Sequence, residues 1–406
     1  MKILLIHQSF PGQFERILPL LHADGHQIIG IGMSSYSSPY VKYIKYQPTR
    51  GTTPSAHPAV QETETKLIRG ECVRNCLLNL ISDGDIPDLI YAHPGWGETL
   101  FVREIFPDVP FITFQEFFYS LSNSDIDYDP SNVFVSQETL LRLELKRSLI
   151  LNSVFNSDLC VTPTQWQKST FPTLFHEKFS VIHEGIDISK LAKALTSTPS
   201  PQLKQKFSGL RYITFASRTL EPYRGIHVFL KAIPFILQAD PSLHIIIIGS
   251  IQGKGYGSGP PKGFNSWLHY YLQKHPIPQS LLPRVSILGS LSYIDYVYIC
   301  SNSLCHTYIS VPFVLSWSVL ELMYLQVPLV GNDIPMISEV LEHNHTGYLF
   351  DYFSTESLVS TILKVLYQPI ERTQSLSKNS HDLVVSRFDN RTAYDSLLTC
   401  FQSLLS

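Results

Sequence analysis

The sequence predicts an α/β protein made of two doubly wound, Rossmann-like halves, each with a parallel sheet. The chain has 406 residues, which is long for one domain and suits two domains of roughly 200 residues each. Short apolar runs alternate with helical patterns along the chain, as parallel sheets with crossover helices require. Polar residues collect where several apolar runs end, which is the edge of such sheets where ligands bind.

Composition narrows the classes of function. Hydrophobic residues make up 44% and charged residues 16% of a chain whose net charge is −3, so no basic field favours nucleic acid. The chain has no apolar run of about 18 residues and no signal-peptide pattern, so we expect a cytoplasmic protein. The aromatic content leaves room for peripheral contact with the inner face of a membrane. Six cysteines lack zinc-ligand spacing and are expected to be reduced thiols.

The first half opens with a βαβ pattern. Residues 2–7 form a nearly continuous apolar run, as a central parallel strand does. A turn ending at Gly12 leads into a helical pattern, and residues 25–32 return as a second strand. Gly12 therefore marks the first strand-to-helix turn, where the backbone of such folds approaches a nucleotide ligand closely.

Polar side chains end the later strands of this half. A long helix is predicted over residues 62–81, and strands over 87–93, 110–116, 161–166 and 179–187. The residues on or just past those strand ends are His93, Glu98, Gln115, Glu116 and Glu184. We expect them to converge on one ligand site.

Several of these residues allow two interpretations. His93 is either a general base or a structural hydrogen-bonding group at a strand end. Glu98 and Glu116 are candidate acceptors for sugar hydroxyls. Trp96, beside Gly97, and the aromatic run 117–119 could stack on the face of a sugar or simply pack at a domain boundary.

A polar segment over residues 194–208 predicts the linker between the halves. The first domain is therefore placed at residues 1–195 and the second at 209–381. In the second half, strands are predicted over 212–218, 243–249, 284–289, 304–309 and 347–351, with a helix over 228–237 after the first of them. The terminal segment 382–406 is predicted to be helical and to pack back on the first domain.

Two arginines flank a short loop at the end of the first strand of the second half. Arg218 and Arg224 are six residues apart, and two guanidinium groups at that spacing suit a diphosphate. The alternative is a solvated surface pair.

The segment 310–331, which follows the strand predicted over 304–309, predicts a loop, a helix and another strand. Ser316 can cap the helix, which leaves the N–H groups of Val314, Leu315 and Ser316 pointing at the loop as an anion site. Glu321, one helical turn later, could accept hydrogen bonds from a ribose diol. The backbone near Gly289 could contact the nucleobase.

Two further motifs are interpreted conservatively. The segment Gly-x-Gly-x-Gly-x-Gly at 253–259 is not a dinucleotide fingerprint, and we interpret it as a mobile loop, with a lid as the functional alternative. The Asp-x-Asp at Asp125 and Asp127 imitates a metal motif but lies in a polar loop, where solvated carboxylates are expected. No metal and no cofactor is predicted.

Taken together, these residues resemble glycosyltransferase family 4, whose members are retaining enzymes of the GT-B fold. The resemblance covers nearly the whole chain. It is strongest in four segments: Ala-Ser-Arg-Thr-Leu-Glu-Pro-Tyr-Arg-Gly (216–225), Pro-Phe-Val-Leu-Ser-Trp-Ser-Val-Leu-Glu (312–321), His-Pro-Gly-Trp-Gly-Glu (93–98) and Val-Ile-His-Glu-Gly-Ile-Asp (181–187). It implies two Rossmann-like domains facing across a cleft, with the acceptor on the first and a nucleotide-sugar on the second. Arg218 and Arg224 then match the basic pair that grips the diphosphate.

The sequence departs from the family pattern at two positions. Glu321 matches the second Glu of the Glu-x7-Glu motif, but Phe313 stands where the first Glu is expected, so a carboxylate contact to the donor sugar is missing. Gln115 stands where the family usually has His. His93 or Glu116 could fill the vacated role.

The expected function is transfer of a sugar from a nucleoside-diphosphate sugar to a glycan or lipid-linked acceptor, without metal and with retention. The alternative is a catalytically weakened protein of the same fold that binds nucleotide-sugar or glycan. An epimerase or a phosphorylase on the same fold is a third hypothesis. The pattern does not address the donor sugar, the nucleobase, the acceptor or the oligomeric state.

Overall fold

The computed structural model describes residues 1–122, 124–132, 136–252, 255–257 and 259–405. The chain divides into two compact units. The first comprises Met1–Asp127, Val133–Gly185 and Phe388–Ser406, and the second comprises Tyr128–Asn132 and Ile186–Arg387. Each unit contains its own parallel sheet, so the α/β class with two Rossmann-like sheets is confirmed.

The first sheet has its amino-terminal strand near the centre. The strand order is β3-β2-β1-β4-β5-β6-β7, and the neighbouring strands pair in parallel. The strands are β1 (Lys2–Ile6), β2 (Gln27–Gly32), β3 (Val41–Lys45), β4 (Leu89–Ala92), β5 (Phe111–Phe114), β6 (Leu159–Thr162) and β7 (Phe179–Val181).

Strand β1 is apolar on both faces because helices cover both sides of the sheet. Its residues Ile3 to Ile6 are each 0% exposed. Leu4 and Ile6 join one apolar cluster, and Ile3 and Leu5 join another. A strand buried on both faces gives the continuous hydrophobic run seen in the sequence.

The helices of the first unit are α1 (Leu18–Ala23), α2 (Pro58–Ser82), α3 (Val102–Ile105), α4 (Gln137–Asn156) and α5 (Gln165–Thr170). Helix α2 begins four residues before its predicted start, because Pro58 suits a first turn and His57 accepts a hydrogen bond from the backbone of Ala59.

The second sheet has the order β10-β9-β8-β11-β12-β13. Its strands are β8 (Tyr212–Thr219), β9 (His244–Ser250), β10 (Val285–Ile287), β11 (His306–Tyr308), β12 (Leu329–Asn332) and β13 (Tyr348–Phe350). The helices from the linker onward are α6 (Ile188–Thr196), α7 (Pro201–Phe207), α8 (Ile226–Ala239), α9 (Trp267–Lys274), α10 (Tyr293–Ser301), α11 (Trp317–Tyr324), α12 (Pro335–Ser338), α13 (Thr355–Tyr367), α14 (Ile370–Arg387) and α15 (Asn390–Leu405).

The polar stretch predicted as a linker is largely helical, which corrects that expectation. Helix α7 begins at Pro201, a residue that is preorganised for the first turn of a helix. Phe207 at its end is buried, and its ring lies 6.2 Å from that of Tyr212 in β8. Burial of one aromatic ring anchors a segment whose composition suggests a loop.

The helix predicted over the carboxyl-terminal segment is interrupted. Helix α14 ends at Arg387, and α15 begins at Asn390 as part of the first unit. Tyr394, Leu397 and Phe401 of α15 pack in the same apolar cluster as Ile3 of β1. The Tyr394 hydroxyl donates a hydrogen bond to Asp24, with 2.7 Å between the oxygens.

Residues 253, 254 and 258 of the glycine-rich segment lie outside the described residues, so the interpretation as a mobile loop stays a prediction. In the part of the chain that the structure describes, no helix combines the length and apolarity needed to cross a membrane. The six cysteines are free, as predicted.

Helix α8 offers a test of the second core. Phe229 is 0% exposed, and its ring stacks on that of Phe215 with 4.9 Å between centroids. We expect Phe229→Ala to lower the free energy of unfolding by about 3–5 kcal/mol, because the truncation leaves a cavity. Urea unfolding measures the loss. Phe235→Ala is the matched control on the same helix, since that ring is 55% exposed, and an equal loss in both variants would contradict this account of the core.

Candidate functional site

The carboxyl ends of three neighbouring strands bring five polar and aromatic side chains together in the first unit. His7 follows β1, His93 and Trp96 follow β4, and Glu116 follows β5. Gln13, in the turn after β1, joins them through hydrogen bonds. The sequence predicted His93, Trp96 and Glu116 here but missed His7 and Gln13.

A chain of hydrogen bonds fixes the carboxylate of Glu116. The backbone N–H of Ser9 donates to Nδ1 of His7 at 3.0 Å, so the proton of that imidazole is on Nε2. Nε2 then donates to Oε1 of Gln13 at 2.5 Å, and the Gln13 amide donates to Oε1 of Glu116 at 3.2 Å. The position of His7, directly after a central strand like that of His93, was the signal that could have found it.

His93 lies beside the same carboxylate. Its Nδ1 accepts a hydrogen bond from the backbone of Gly95 at 3.1 Å, which leaves the proton on Nε2. Nε2 lies 3.8 Å from Oε2 of Glu116, beyond hydrogen-bond distance. The imidazole stacks on Trp96 with 4.4 Å between ring centroids. The stacked rings therefore place an apolar face beside a carboxylate.

Burial and neighbours set the charges of this cluster. Burial, reinforced by nearby His93, lowers the pKa of His7 to about 3, so this imidazole is neutral at physiological pH. Burial alone would raise the pKa of Glu116, but nearby His93 and the Gln13 amide hold the pKa below its ordinary value. The site therefore presents an ionised carboxylate.

Two predicted glycines allow close packing within the protein. Gly12 has a φ of +52°, and a Cβ there would lie 2.2 Å from the His7 ring. Gly97 has a φ of +103°, and a Cβ there would lie 2.2 Å from the carbonyl oxygen of Lys66. The close neighbour of Gly12 is thus the His7 imidazole, while its contact with a nucleotide stays a prediction.

Three other predicted residues are not gathered into this cluster by any described contact. Glu98 is 1% exposed and accepts a hydrogen bond from the Tyr46 hydroxyl at 2.5 Å. The amide nitrogen of Gln115 donates to Thr113 and to Ser153, at 2.9 Å each. Glu184 lies after β7, with Oε2 3.8 Å from Nδ1 of His183. Their predicted contacts with a sugar therefore gain no support from these positions.

The Asp-x-Asp segment matches its expected solvated state only in part, since Asp127 is exposed and Asp125 is not. Asp125 is only 8% exposed, although the segment lies in a loop. Among the described residues, no group of three or more His, Cys, Asp or Glu side chains is arranged to hold a metal ion.

Arg224 is the best-defined group of the second unit. It lies in the turn Pro222–Arg224 after β8 and is 9% exposed. Its Nη1 donates to the Ser310 hydroxyl at 3.1 Å and to Tyr308 Oη and the Val314 carbonyl at 3.4 Å each. Among the described residues, Nη2 and Nε have no protein acceptor, so one edge of the guanidinium is available to an anion.

The hydroxyl group of Tyr308 also joins Arg224 to the start of α11. The backbone N–H of Ser316 donates to Tyr308 Oη at 3.1 Å. Ser316 caps the helix as predicted, and its side chain accepts a hydrogen bond from the backbone of Ser318. Within the described part of the chain, the N–H groups of Val314 and Leu315 donate to no protein acceptor. Arg224 and an unsatisfied helix start therefore share one locality, as an anion site requires.

Arg218 is exposed near the end of β8. The Tyr256 ring centroid lies 5.2 Å from the guanidinium carbon of Arg218 and 5.4 Å from that of Arg224. One aromatic ring therefore neighbours both arginines, and the structure brings the predicted pair together.

Of the other residues predicted for the nucleotide, which are Phe313, Glu321 and Gly289, Phe313 contacts this locality. The Phe313 ring contacts Tyr256, with 4.8 Å between centroids, and its N–H donates to Sδ of Met336 at 3.2 Å. Glu321 lies in the second turn of α11 and accepts a hydrogen bond from the Tyr293 hydroxyl at 3.2 Å. Gly289 follows β10 with a φ of +69°.

Comparison with known families matches both parts of the chain. Residues 24–191 match the model described as "Glycosyl transferase family 4 group", and residues 202–382 match "Glycosyl transferases group 1". Among curated proteins, YtcC of Bacillus subtilis is 24% identical over 262 residues, which cover 62% of this chain and 61% of YtcC. The chain thus aligns with about three fifths of that relative.

Solved structures share the fold over the whole chain. HepE from Anabaena, solved in complex with UDP-glucose, is 18% identical with a TM-score of 0.66, and the match covers 99% of this chain and 100% of HepE. Sucrose-phosphate synthase from Thermosynechococcus elongatus is 14% identical with a TM-score of 0.73, covering 100% and 99% of the two chains. These likenesses establish the GT-B fold.

The buried carboxyl of Glu98 should make the stability of the first unit depend on pH, which can be tested. Burial raises the pKa of this carboxyl above its ordinary value of 4.5, against the opposing effect of the Tyr46 hydroxyl. The stability contributed by the neutral carboxyl is therefore present below pH 4.5 and lost as the pH rises through the raised pKa. We expect Glu98→Gln to gain stability relative to wild type as the pH rises from 4.5 to 8, because glutamine does not titrate.

Urea midpoints across that pH range measure the difference between Glu98→Gln and wild type. The control is Glu71→Gln, since Glu71 lies exposed on α2, and this variant should follow wild type throughout. A difference for Glu98→Gln that is constant with pH would show that the buried carboxyl does not carry the effect.

Proposed function

We propose, since the chain belongs to glycosyltransferase family 4, group 1, that it transfers a sugar from a nucleoside-diphosphate sugar to a hydroxyl group. The acceptor class we infer is a glycan or a lipid-linked glycan. A lipid-linked acceptor would bring a cytoplasmic protein to the surface of a membrane. The transfer is proposed to retain the anomeric configuration and to need no metal ion.

One observation carries this proposal: Arg224 and the start of α11 are joined by the Tyr308 hydroxyl. A diphosphate needs both positive charge and N–H donors, and it is strongly hydrated in water. A preorganised guanidinium and helix start supply these groups without further rearrangement.

The same groups would assist the chemical step. Bond cleavage between the sugar and the diphosphate places additional negative charge on the leaving phosphate. Arg218, Arg224 and the N–H groups of Val314 and Leu315 would stabilise that charge, which is the role a metal ion has in other transferases. The unsatisfied edge of the Arg224 guanidinium supports this assignment.

The remaining nucleotide contacts are proposed at Glu321 and Gly289. Glu321 would accept hydrogen bonds from the ribose hydroxyls, with Tyr293 holding its carboxylate. The backbone around Gly289 would contact the nucleobase. The complex of HepE with UDP-glucose makes UDP the first nucleotide to test.

In the first unit, Glu116 is the proposed partner of the acceptor hydroxyl, with His93 beside it. A carboxylate with a lowered pKa is a weak base, so it would orient the hydroxyl and take its proton only as the new bond forms. Trp96, stacked on His93, would contact the acceptor sugar.

A second candidate is a protein that binds nucleotide-sugar but transfers it slowly or not at all. Phe313 favours it, because an aromatic ring replaces the carboxylate expected at the donor sugar. Release of UDP from UDP-sugars separates the candidates, since a protein that only binds would be stabilised by the nucleotide without releasing product.

Arg224→Ala tests the diphosphate contact. A charge-assisted hydrogen bond contributes about 1.5–3 kcal/mol, so we expect Kd for UDP to rise roughly 10- to 100-fold. The Kd for UMP, which lacks the second phosphate, should rise much less. Isothermal titration calorimetry measures both constants.

Arg211→Ala is the matched control for Arg224→Ala. Arg211 precedes β8, at the end of the strand opposite Arg218, and its loss should leave UDP binding unchanged. If Arg224→Ala binds UDP as tightly as wild type does, the diphosphate assignment is wrong.

Glu116→Gln tests the acceptor side separately. Removal of a group that takes a proton in the transition state typically costs 10²–10⁴-fold, so we expect transfer to fall at least about 100-fold while Kd for UDP is unchanged. The assay is UDP release from the sugar nucleotide that wild type uses. Glu15→Gln, an exposed carboxylate near Gln13, is the control. Full turnover by Glu116→Gln would remove Glu116 from the mechanism.

A further inference from the structure

A buried carboxylate lies between the two arginines and has no part in the proposed function. Glu221 belongs to the loop that joins Arg218 to Arg224, and it is only 1% exposed. Neither arginine is within hydrogen-bond distance of it among the described contacts. Burying a carboxylate is costly, and the nearby arginines offset only part of that cost, because the pKa of Glu221 stays above its ordinary value.

The partner of Glu221 is the backbone of the segment 255–257. The carboxylate accepts a hydrogen bond from the N–H of Tyr256. Gly255 approaches so closely that a Cβ there would lie 1.5 Å from Oε2 of Glu221. A side chain at position 255 would require the Glu221 carboxylate to move, so the present contact between the two segments depends on a glycine there.

The Tyr256 side chain lies beside the arginine pair. Its ring neighbours the guanidinium groups of both Arg218 and Arg224. The ring also contacts Phe313, at 4.8 Å between centroids, and Tyr223, at 6.3 Å. Tyr256 therefore links the arginine pair to the aromatic residue that replaces the motif carboxylate.

We propose that Glu221 is a positioning residue that holds Tyr256 against the two arginines, and that the Tyr256 ring is a wall of the donor site. The inference rests on the proposed function, because it takes the arginine pair to bind a diphosphate. It adds two residues to that site: Tyr256, which contacts the arginines, and Glu221, which acts through Tyr256.

Two physical effects would follow from this wall. An aromatic ring beside a guanidinium attracts it and restricts its rotamers, while the N–H groups at the edge stay free for phosphate oxygens. The ring also excludes water on one side, which strengthens the attraction between the arginines and a diphosphate. The attraction to a diphosphate should be strengthened most at Arg218, because that side chain is otherwise exposed.

The wall also has a consequence for the sugar. The sugar is attached to the phosphate that the arginines bind, and the neighbouring surface contains Tyr256, Phe313 and Tyr223. Aromatic rings contact the C–H face of a sugar rather than its hydroxyl groups. In this proposal, the aromatic rings contact the sugar in place of the carboxylate that the motif has at the position of Phe313.

Burial raises the pKa of Glu221 to about 7, against the opposing effects of the Tyr256 N–H, Arg224 and Arg218. In either protonation state, Glu221 keeps an oxygen that can accept a hydrogen bond from the backbone N–H of Tyr256. Glutamine supplies the same acceptor, whereas alanine does not. This difference makes Glu221→Gln the conservative variant and Glu221→Ala the disruptive one.

The test is the Kd for UDP, measured by calorimetry on the full chain. We expect Tyr256→Ala and Glu221→Ala each to weaken binding roughly tenfold. Tyr256→Phe, which keeps the ring, and Glu221→Gln, which keeps the acceptor, should recover most of that loss. The double variant Glu221→Ala/Tyr256→Ala should lose no more than either single variant, because both changes remove the same ring from the arginines.

Thermal unfolding of each variant shows whether the chain remains folded, and Tyr256→Ala tests the wall by itself if Glu221→Ala does not fold. Unchanged or tighter UDP binding by Tyr256→Ala would overturn the inference, and so would additive losses in the double variant. If wild type binds none of UDP, GDP and ADP, the proposed function fails and the inference fails with it. Binding by wild type that depends on Arg224 but not on Tyr256 overturns the inference alone.

Discussion

The hydroxyl group of Tyr308 is the interaction on which the donor half of the molecule depends. It contacts the guanidinium of Arg224 and accepts the N–H of Ser316, so it joins the loop after β8 to the start of α11. Tyr308 is 3% exposed at the end of β11, which lies between β8 and β12 in the sheet. Water cannot readily replace a buried hydroxyl there, so the relative position of the arginine and the helix start is set by the fold.

The first unit uses the same arrangement with different chemistry. Three neighbouring strands end together. Hydrogen bonds run from Ser9 through His7 and Gln13 to Glu116, and His93 stacks on Trp96 beside them. The second unit presents positive charge and N–H donors, while the first presents an ionised carboxylate beside aromatic rings. Parallel sheets supply the positions in both units, and the residues that follow the strands decide what each position can bind.

The sequence was sufficient for the features that depend on local pattern. Strands such as β1 and β9 are buried on both faces and have continuous apolar runs, and the Ser316 cap is a local signal. Features that depend on contacts distant in sequence were missed. The sequence did not indicate β3, an edge strand with two exposed positions, or that Phe207 anchors a helix in the polar linker. The bond between Glu221 and Tyr256 joins residues 35 positions apart, so no local pattern could have predicted it.

The most direct measurement of the central claim is a crystal structure of the protein with UDP bound. The account predicts that oxygens of the second phosphate lie about 2.7–3.2 Å from the Arg224 guanidinium. They should lie at the same distance from the backbone N–H of Val314 or Leu315, with Tyr308 still bonded to Ser316. A diphosphate bound elsewhere, or bound here without either contact, would contradict the account.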